Sequence, residues 1–459
     1  MRSAPKNVGK VPSWVWAVLV LVHLGFLIYS VTHHSWFFPD TDRYIAAGQN
    51  LREYGELYAR PWPATAPSGQ AIQEFTIRPP GYPLFLSVLG VEANSVQPVW
   101  VLLVQSLLSM LNLGWVLIYW AKRAEPSAKQ WAASLFLLLF PGQFIYANAV
   151  MSEIVLQTVV LGLAGLGAGC LIRPTGMRVA GLALSTCLAF LLKPVFYLLA
   201  FVLPILILGL AWQHRRVVWS LMGIVPLAVL LLYMQWNEQR TGYFHFSSIA
   251  EINLLHYNAA GVVRQVEGKQ AEDRWVADVL AEANAQLSFR QRQLLIQHRA
   301  TDVLKAHPVV YLRQQVQGML AFFLDPGRFD IARFLSLNTG AGGLLEQMRG
   351  AGMRGLLEAL WKLPLGFLAL LALIAVANAT RLGLAIRGFW RAHFAAKELK
   401  RGRWCLAGLI LYVALLTGPL GAARFLVPVW PLLLLLALWG VKMPGIRAEQ
   451  GAPVRQNEG

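Results

Sequence analysis

The sequence predicts an all-α polytopic membrane protein with about ten transmembrane helices. Three observations carry this reading. Of the 459 residues, 56% are hydrophobic and only 14% charged, against about a quarter charged in ordinary globular chains. Apolar runs of spanning length recur along the chain, at roughly 14–31, 99–120, 131–150, 154–172, 179–192, 195–212, 217–236, 356–380, 404–420 and 425–441. The formal net charge of +17 is also unevenly distributed. With the N-terminus inside, half of the 40 bases fall on the inner segments beside only four acids, Glu125, Glu398, Glu449 and Glu458. The basicity is thus an orientation signal, the positive-inside rule. It gives no support to a nucleic-acid partner.

The elements follow in order. The first run ends in His33, His34 and Trp36, with no small-residue cleavage site, and is expected to remain as a helix. Residues 1–236 form an N-terminal membrane module. It contains a first outer loop, 32–98, which opens on "WFFPDTDRYIAAGQNL". Tyr44, Ala47, Leu51 and Tyr54 recur at helical spacing, and Gly55 suits a C-terminal stop. A helix along the membrane interface is expected, with Asp40 and Asp42 at its N-terminal end. "RPWPATAPSG" (60–69) reads as loop. "FTIRPPGYPLFLSVLG" (75–90) reads as a proline-fixed turn leading into a second interfacial or re-entrant helix.

Residues 237–355 are a small outer helical segment. Within it 271–308 has a soluble helical pattern. In 307–327, Arg313, Gln314, Gln315 and Gln317 favour an interfacial helix over a spanning one. C-terminal membrane helices occupy 356–441, and an inner tail 442–459. Cys170, Cys187 and Cys405 all fall within predicted spans and read as packing residues.

Several residues point to chemistry. Asp40 and Asp42 sit at a membrane edge, where they either cap a helix or supply a general base whose pKa the neighbouring aromatic and apolar residues are expected to raise toward neutrality. Glu153, in "NAVMSEIVL", lies where one run ends and the next begins. It is either a solvated turn residue or a partner for Asp40 across a shared cavity. Arg78, Lys193 and Arg424 each occupy a proline hinge: "IRPPGYP", "LLKPVF" and "AARFLVPVWP". Converging on one face, they would bind phosphate oxygens; apart, they would snorkel to headgroups. No nucleotide-binding loop is present, so an activated substrate would arrive in the lipid. The histidines show no metal-ligand spacing, and a divalent metal has no motif behind it.

Taken together, "PDTDRY", "RPPGYPLFL", "MSE" and "ARFLVPVWPLLLLL" resemble the GT-C superfamily of integral-membrane glycosyltransferases. Among them they are similar to the bacterial protein mannosyltransferase and lipid A aminoarabinose transferase group. The resemblance implies a bacterial inner-membrane enzyme with both termini cytoplasmic and a periplasmic active site. It implies a polyprenyl-phosphate sugar as donor and a hydroxyl acceptor on a glycan, lipid or protein; a departure from the family, with no large outer domain expected after the last matched run, favours the glycan or lipid. Asp40 matches the catalytic position of the D-x-x-R-Y pattern better than Asp42. Asp42 and Glu153 would orient the acceptor or Asp40. Arg78, Lys193 and Arg424 would neutralise the donor phosphate, and Arg43, Tyr44 and Tyr82 would serve the acceptor or the structure. Two rivals share the lipid-phosphate chemistry: a flippase or transporter of lipid-linked glycan, and an O-antigen polymerase or ligase.

Overall fold

The computed structural model describes residues 10–65, 67–91, 98–337, 354 and 364–443. The described residues form helices and no strands. They include eight helical segments long and apolar enough to cross a membrane. The tail expected from 444 onward and the start of the run predicted at 356–380 lie outside the described residues.

The described chain begins with α1 (Ser13–Thr32), then α2 (Thr41–Glu53), the helix expected from the Tyr and Leu spacing. Gly55 follows it with φ of 70°, the left-handed stop. A short helix, α3 (Gly81–Val88), comes after the double proline. Four long or apolar helices then pack in sequence: α4 (Val99–Ala124), α7 (Glu153–Ile172), α8 (Gly176–Leu192) and α9 (Leu199–His214), with α10 (Val217–Thr241) after them.

Between α4 and α7 the expected run 131–150 is broken. It forms α5 (Ala128–Leu138) and α6 (Pro141–Ala147). Pro141 cannot donate its nitrogen to the preceding turn, and it pushes Phe140 out of the helical region. The carbonyls freed by the break find a partner across the bundle. Arg381 donates Nε to Leu137 O at 3.2 Å, and Nη2 to Phe136 O at 3.2 Å and to Leu139 O at 2.7 Å. Arg381 is 2% exposed. The basic stretch 381–403 is helical for most of its length. It is the end of α17 (Leu365–Arg391) and the start of α18 (Lys397–Thr417), with Arg381 and Arg403 both buried inside the bundle.

Among the described residues of 237–337 are the short helices α11 (Ile249–Asn253), α12 (Ala260–Glu267) and α16 (Arg328–Phe334), and the longer α13 (Lys269–Asn284), α14 (Phe289–Ala306) and α15 (Pro308–Leu324). The expected pattern over 271–308 is α13 and α14. The glutamines that argued against a spanning α15 act as backbone partners: Gln314 donates to Tyr257 O at 2.7 Å and Gln315 to Leu415 O at 2.5 Å.

The last stretch runs through α19 (Ala423–Leu426) into α20 (Trp430–Val441). Of its most apolar window 83% is buried, against 22% for α10. The helix that follows Arg424 is therefore the axis of the bundle, and α10 is peripheral. Two close approaches set the geometry around that axis. A Cβ at Gly421 would lie 1.8 Å from Gly318 O, so only glycine lets α15 press against the turn before Arg424. A Cβ at Gly81 would lie 2.7 Å from Leu191 O, which seats the double-proline turn against the end of α8.

Candidate active site

Five charged residues from five separate parts of the chain meet at one end of this bundle. The loop before α2 is tied to the turn before α7. Val150 N donates to Trp36 O at 3.0 Å, and Thr41 Oγ1 donates to Val150 O at 3.1 Å while accepting Phe38 N at 2.9 Å. Tyr44 Oη and Ser152 Oγ are 3.3 Å apart. These bonds place Asp40, just before α2, beside Glu153, the first residue of α7.

Asp40 occupies the N-cap position of α2, yet its side chain makes no capping bond. The carboxylate is taken up by arginines instead. Arg78 Nη2 donates to Oδ1 at 2.5 Å and Arg424 Nη2 to Oδ2 at 2.8 Å. Arg424 also donates Nε to Glu153 Oε1 at 2.7 Å, and Lys193 Nζ donates to the same oxygen at 2.7 Å. The result is an unbroken chain: Arg78, Asp40, Arg424, Glu153, Lys193. Arg424 is the bridge, since a guanidinium fork can serve two carboxylates at once.

Each cation is aimed by its local sequence. Lys193 precedes Pro194, which forces it into extended backbone and ends α8 there. Arg78 precedes Pro79–Pro80, and its guanidinium carbon lies 5.0 Å from the centroid of the Tyr44 ring. Arg424 follows Ala423, whose N–H donates to Asp325 Oδ2 at 2.9 Å.

The cluster is largely withdrawn from water. The side chains are exposed by 1% at Glu153, 10% at Arg78, 16% at Lys193, 20% at Asp40 and 22% at Arg424. Three cations face two carboxylates, leaving one positive charge. Burial pushes the Asp40 carboxyl up, but Arg78 and Arg424, with Lys193 beyond, outweigh it and hold it well below the usual carboxylate range. Some bonding capacity is left over: Glu153 Oε2 and Arg78 Nε are buried and have no hydrogen-bond partner.

The other residues singled out in the sequence sort themselves by contact. Asp42 does not join the cluster: it is exposed, and its Oδ1 accepts only the Arg43 N–H, at 2.8 Å. Two residues along a helix rotate a side chain by about 200°, which points Asp42 away from Asp40. Arg43 pairs with Glu74 at 3.2 Å. Tyr44 and Tyr82 are buried and meet edge to face at 4.9 Å, and Tyr82 Oη donates to Gln105 Oε1 at 2.7 Å.

Sequence reading missed two residues next to this cluster. Asp330, on α16, accepts a hydrogen bond from Tyr146 Oη at 2.7 Å, and both are buried. Burial, with a smaller contribution from Asp325, pushes the Asp330 carboxyl up to about 7, although the Tyr146 bond opposes it. Its electrostatic neighbours include Arg424 and Glu153. "LDPGRFD" held the signal: two acids bracket a Pro-Gly turn after an apolar helix, much as "PDTD" follows α1. Asp325 accepts the N–H groups of Gly327 and Ala423 and so pins the start of the Arg424 segment.

No protein-family model matches the chain, and no curated protein matches it. Among solved structures, a match is the crystal structure of ArnT from Cupriavidus metallidurans in the apo state. It has 13% identity and a TM-score of 0.34, and the alignment covers 94% of this chain and 77% of that one.

Proposed function

We propose that the protein is an inverting glycosyltransferase of the bacterial inner membrane. It moves a sugar from a polyprenyl phosphate to an acceptor hydroxyl on the periplasmic face, with both termini cytoplasmic. The observation that carries this reading is the convergence of Arg78, Lys193 and Arg424 on Asp40 and Glu153. Three cations around two acids, in a site mostly shielded from water, suit a phosphate that must leave with its bonding electrons.

In the chemistry we infer, the acceptor O–H gives its proton to Asp40. The acceptor oxygen forms a bond to the anomeric carbon as the bond from that carbon to the phosphate oxygen breaks. The polyprenyl phosphate departs carrying the electron pair, and the cations stabilise its charge. Placed charges of this kind usually supply much of a barrier reduction.

The ion pairs give the site a means of timing. With both arginines on its oxygens, Asp40 is a weak base. A donor phosphate competes for the same guanidinium groups, and each bond it takes from Asp40 makes that carboxylate more basic. Base strength thus rises when donor is bound. An apolar groove of about 460 Å³ supports a lipid-borne donor. Ile145 and Ile331 line it, next in sequence to Tyr146 and Asp330.

The transporter rival would draw support from charge buried within spans. Arg381 is such a charge, but its bonds to Phe136, Leu137 and Leu139 carbonyls make it a structural cap. The test is transfer by the purified, reconstituted chain, supplied with a polyprenyl-phosphate sugar and candidate acceptors. Formation of a new glycosidic bond is expected. Movement of the lipid-linked sugar across vesicles with no new bond would replace the enzyme reading with the transporter.

A further inference from the structure

The helices that frame the Asp40 cluster enclose a second space at their other ends. A cleft of about 640 Å³ lies between α4, α7 and α18, with α20 behind it. On α7 it is floored by Ala164, Gly165, Ala168 and Gly169. Gly169 is 16 residues beyond Glu153, about 24 Å along the helix at 1.5 Å per residue. The cleft therefore stands apart from the charged cluster. Leu432, Leu435 and Trp439 of α20 form its back wall.

Its rim is a ladder on one face of α4. Trp115 stacks on Tyr119 with centroids 5.5 Å apart, and the Arg123 guanidinium carbon lies 3.9 Å from the Tyr119 centroid. The spacing of four and four aligns all three residues. Lys122 and Arg123 both line the cleft and are exposed, and Glu398 faces them from α18 as the one acid. Inside, Trp439 is 1% exposed and its indole N–H is buried with no hydrogen-bond partner. Such a donor carries an uncompensated desolvation cost until an acceptor arrives.

We propose that this cleft binds one anionic phospholipid of the surrounding bilayer. Lys122 and Arg123 hold its phosphate, the Trp439 N–H meets an ester carbonyl, and an acyl chain lies over the small-residue floor of α7 and the leucines of α20. Charge selects the occupant: two cations against one acid favour an anionic headgroup over a zwitterionic one. Tyrosine and tryptophan at a helix end beside Lys and Arg are typical of the headgroup level of a bilayer, and basic pockets between spanning helices recur as anionic-lipid sites. The inference is independent of the transferase reading.

The experiment is native mass spectrometry of the full chain released from nanodiscs of phosphatidylcholine with and without phosphatidylglycerol. One phosphatidylglycerol is expected to stay bound where phosphatidylcholine does not. In K122Q/R123Q its retention should fall about thirtyfold, from two basic contacts of ordinary surface strength, while K122R/R123K keeps it. W439F should weaken it about fivefold through the lost indole donor. Thermal unfolding of each variant shows whether it is folded, and K122R/R123K and W439F decide the matter if K122Q/R123Q is not. Equal retention of the two lipids, no lipid retained, or retention unchanged in folded K122Q/R123Q or in W439F would overturn the proposal.

Discussion

The two ends of the bundle treat positive charge in opposite ways. At one end Arg78, Lys193 and Arg424 are mostly buried, and each is bonded to a carboxylate at 2.5–2.8 Å. At the other, Lys122 and Arg123 are exposed and bonded to no acid among the described salt bridges. Water solvates the second group without help, so its arrangement need only serve topology and lipid contact. The first group has lost its water, and its partners must be in place before it can be buried at all. A cation's position in the sequence therefore says less than the identity of whatever replaces its hydration shell.

That contrast can be broken by mutation. The largest effect is expected at Asp40. Asp40→Asn should lower sugar transfer by about 10²–10⁴, the usual contribution of a general base, in an assay of the reconstituted chain. Asp42→Asn should leave transfer nearly intact. The reverse pattern would move the base to the exposed acid.

Next comes the bridge. Arg424→Met leaves two buried carboxylates sharing less positive charge, and should destabilise the protein by about 3–5 kcal/mol, as losing one member of a buried pair does. Denaturant unfolding in micelles measures this. Arg424→Lys should not restore stability, because an ammonium cannot reproduce the fork that reaches both acids.

A third test uses pH, and the signs differ between two acids. Asp40 has a depressed pKa. Its stabilisation is fully present above the unfolded value of about 4 and is lost as pH falls below that. Asp330 is raised, to about 7. The folded state then holds a proton that the unfolded state releases, so stability declines as pH rises from about 4 to 7. Asp330→Asn should flatten that decline, by up to about 4 kcal/mol across the window. Unfolding midpoints at stepped pH read it out. A slope unchanged in the variant would mean that Asp330 does not titrate there.

The smallest effect sharpens the comparison from the other end. K122Q/R123Q should change unfolding free energy by no more than about 0.5 kcal/mol in detergent free of anionic lipid, as exposed substitutions do. A large loss would show that the Lys122–Arg123 end is as tightly built as the Asp40 cluster.

Much of this was readable from the chain alone. Long apolar runs force helices, because a backbone in lipid must satisfy its own hydrogen bonds. The proline hinges marked Arg78, Lys193 and Arg424 as cations at breaks between apolar runs, and at Lys193 the following proline does end the helix. Glu153 and Asp40 stood out as acids at the ends of apolar runs.

Other features depend on contacts between segments far apart in sequence. Asp40 and Asp42 look alike in "PDTDRY", and two positions along the chain put one among arginines and the other in water. Neither the break at Pro141 in the expected run 131–150 nor the arginine 240 residues later that satisfies its carbonyls was read from the sequence. Asp330 acquires its character from burial against α6 and from Tyr146 on that helix, neither of which is local. Sequence determined which residues must leave water and where each helix must end, since those follow from local hydrophobicity and backbone chemistry. Tertiary structure decided which charge meets which, because in a buried site a pairing depends on angstroms contributed by several helices at once.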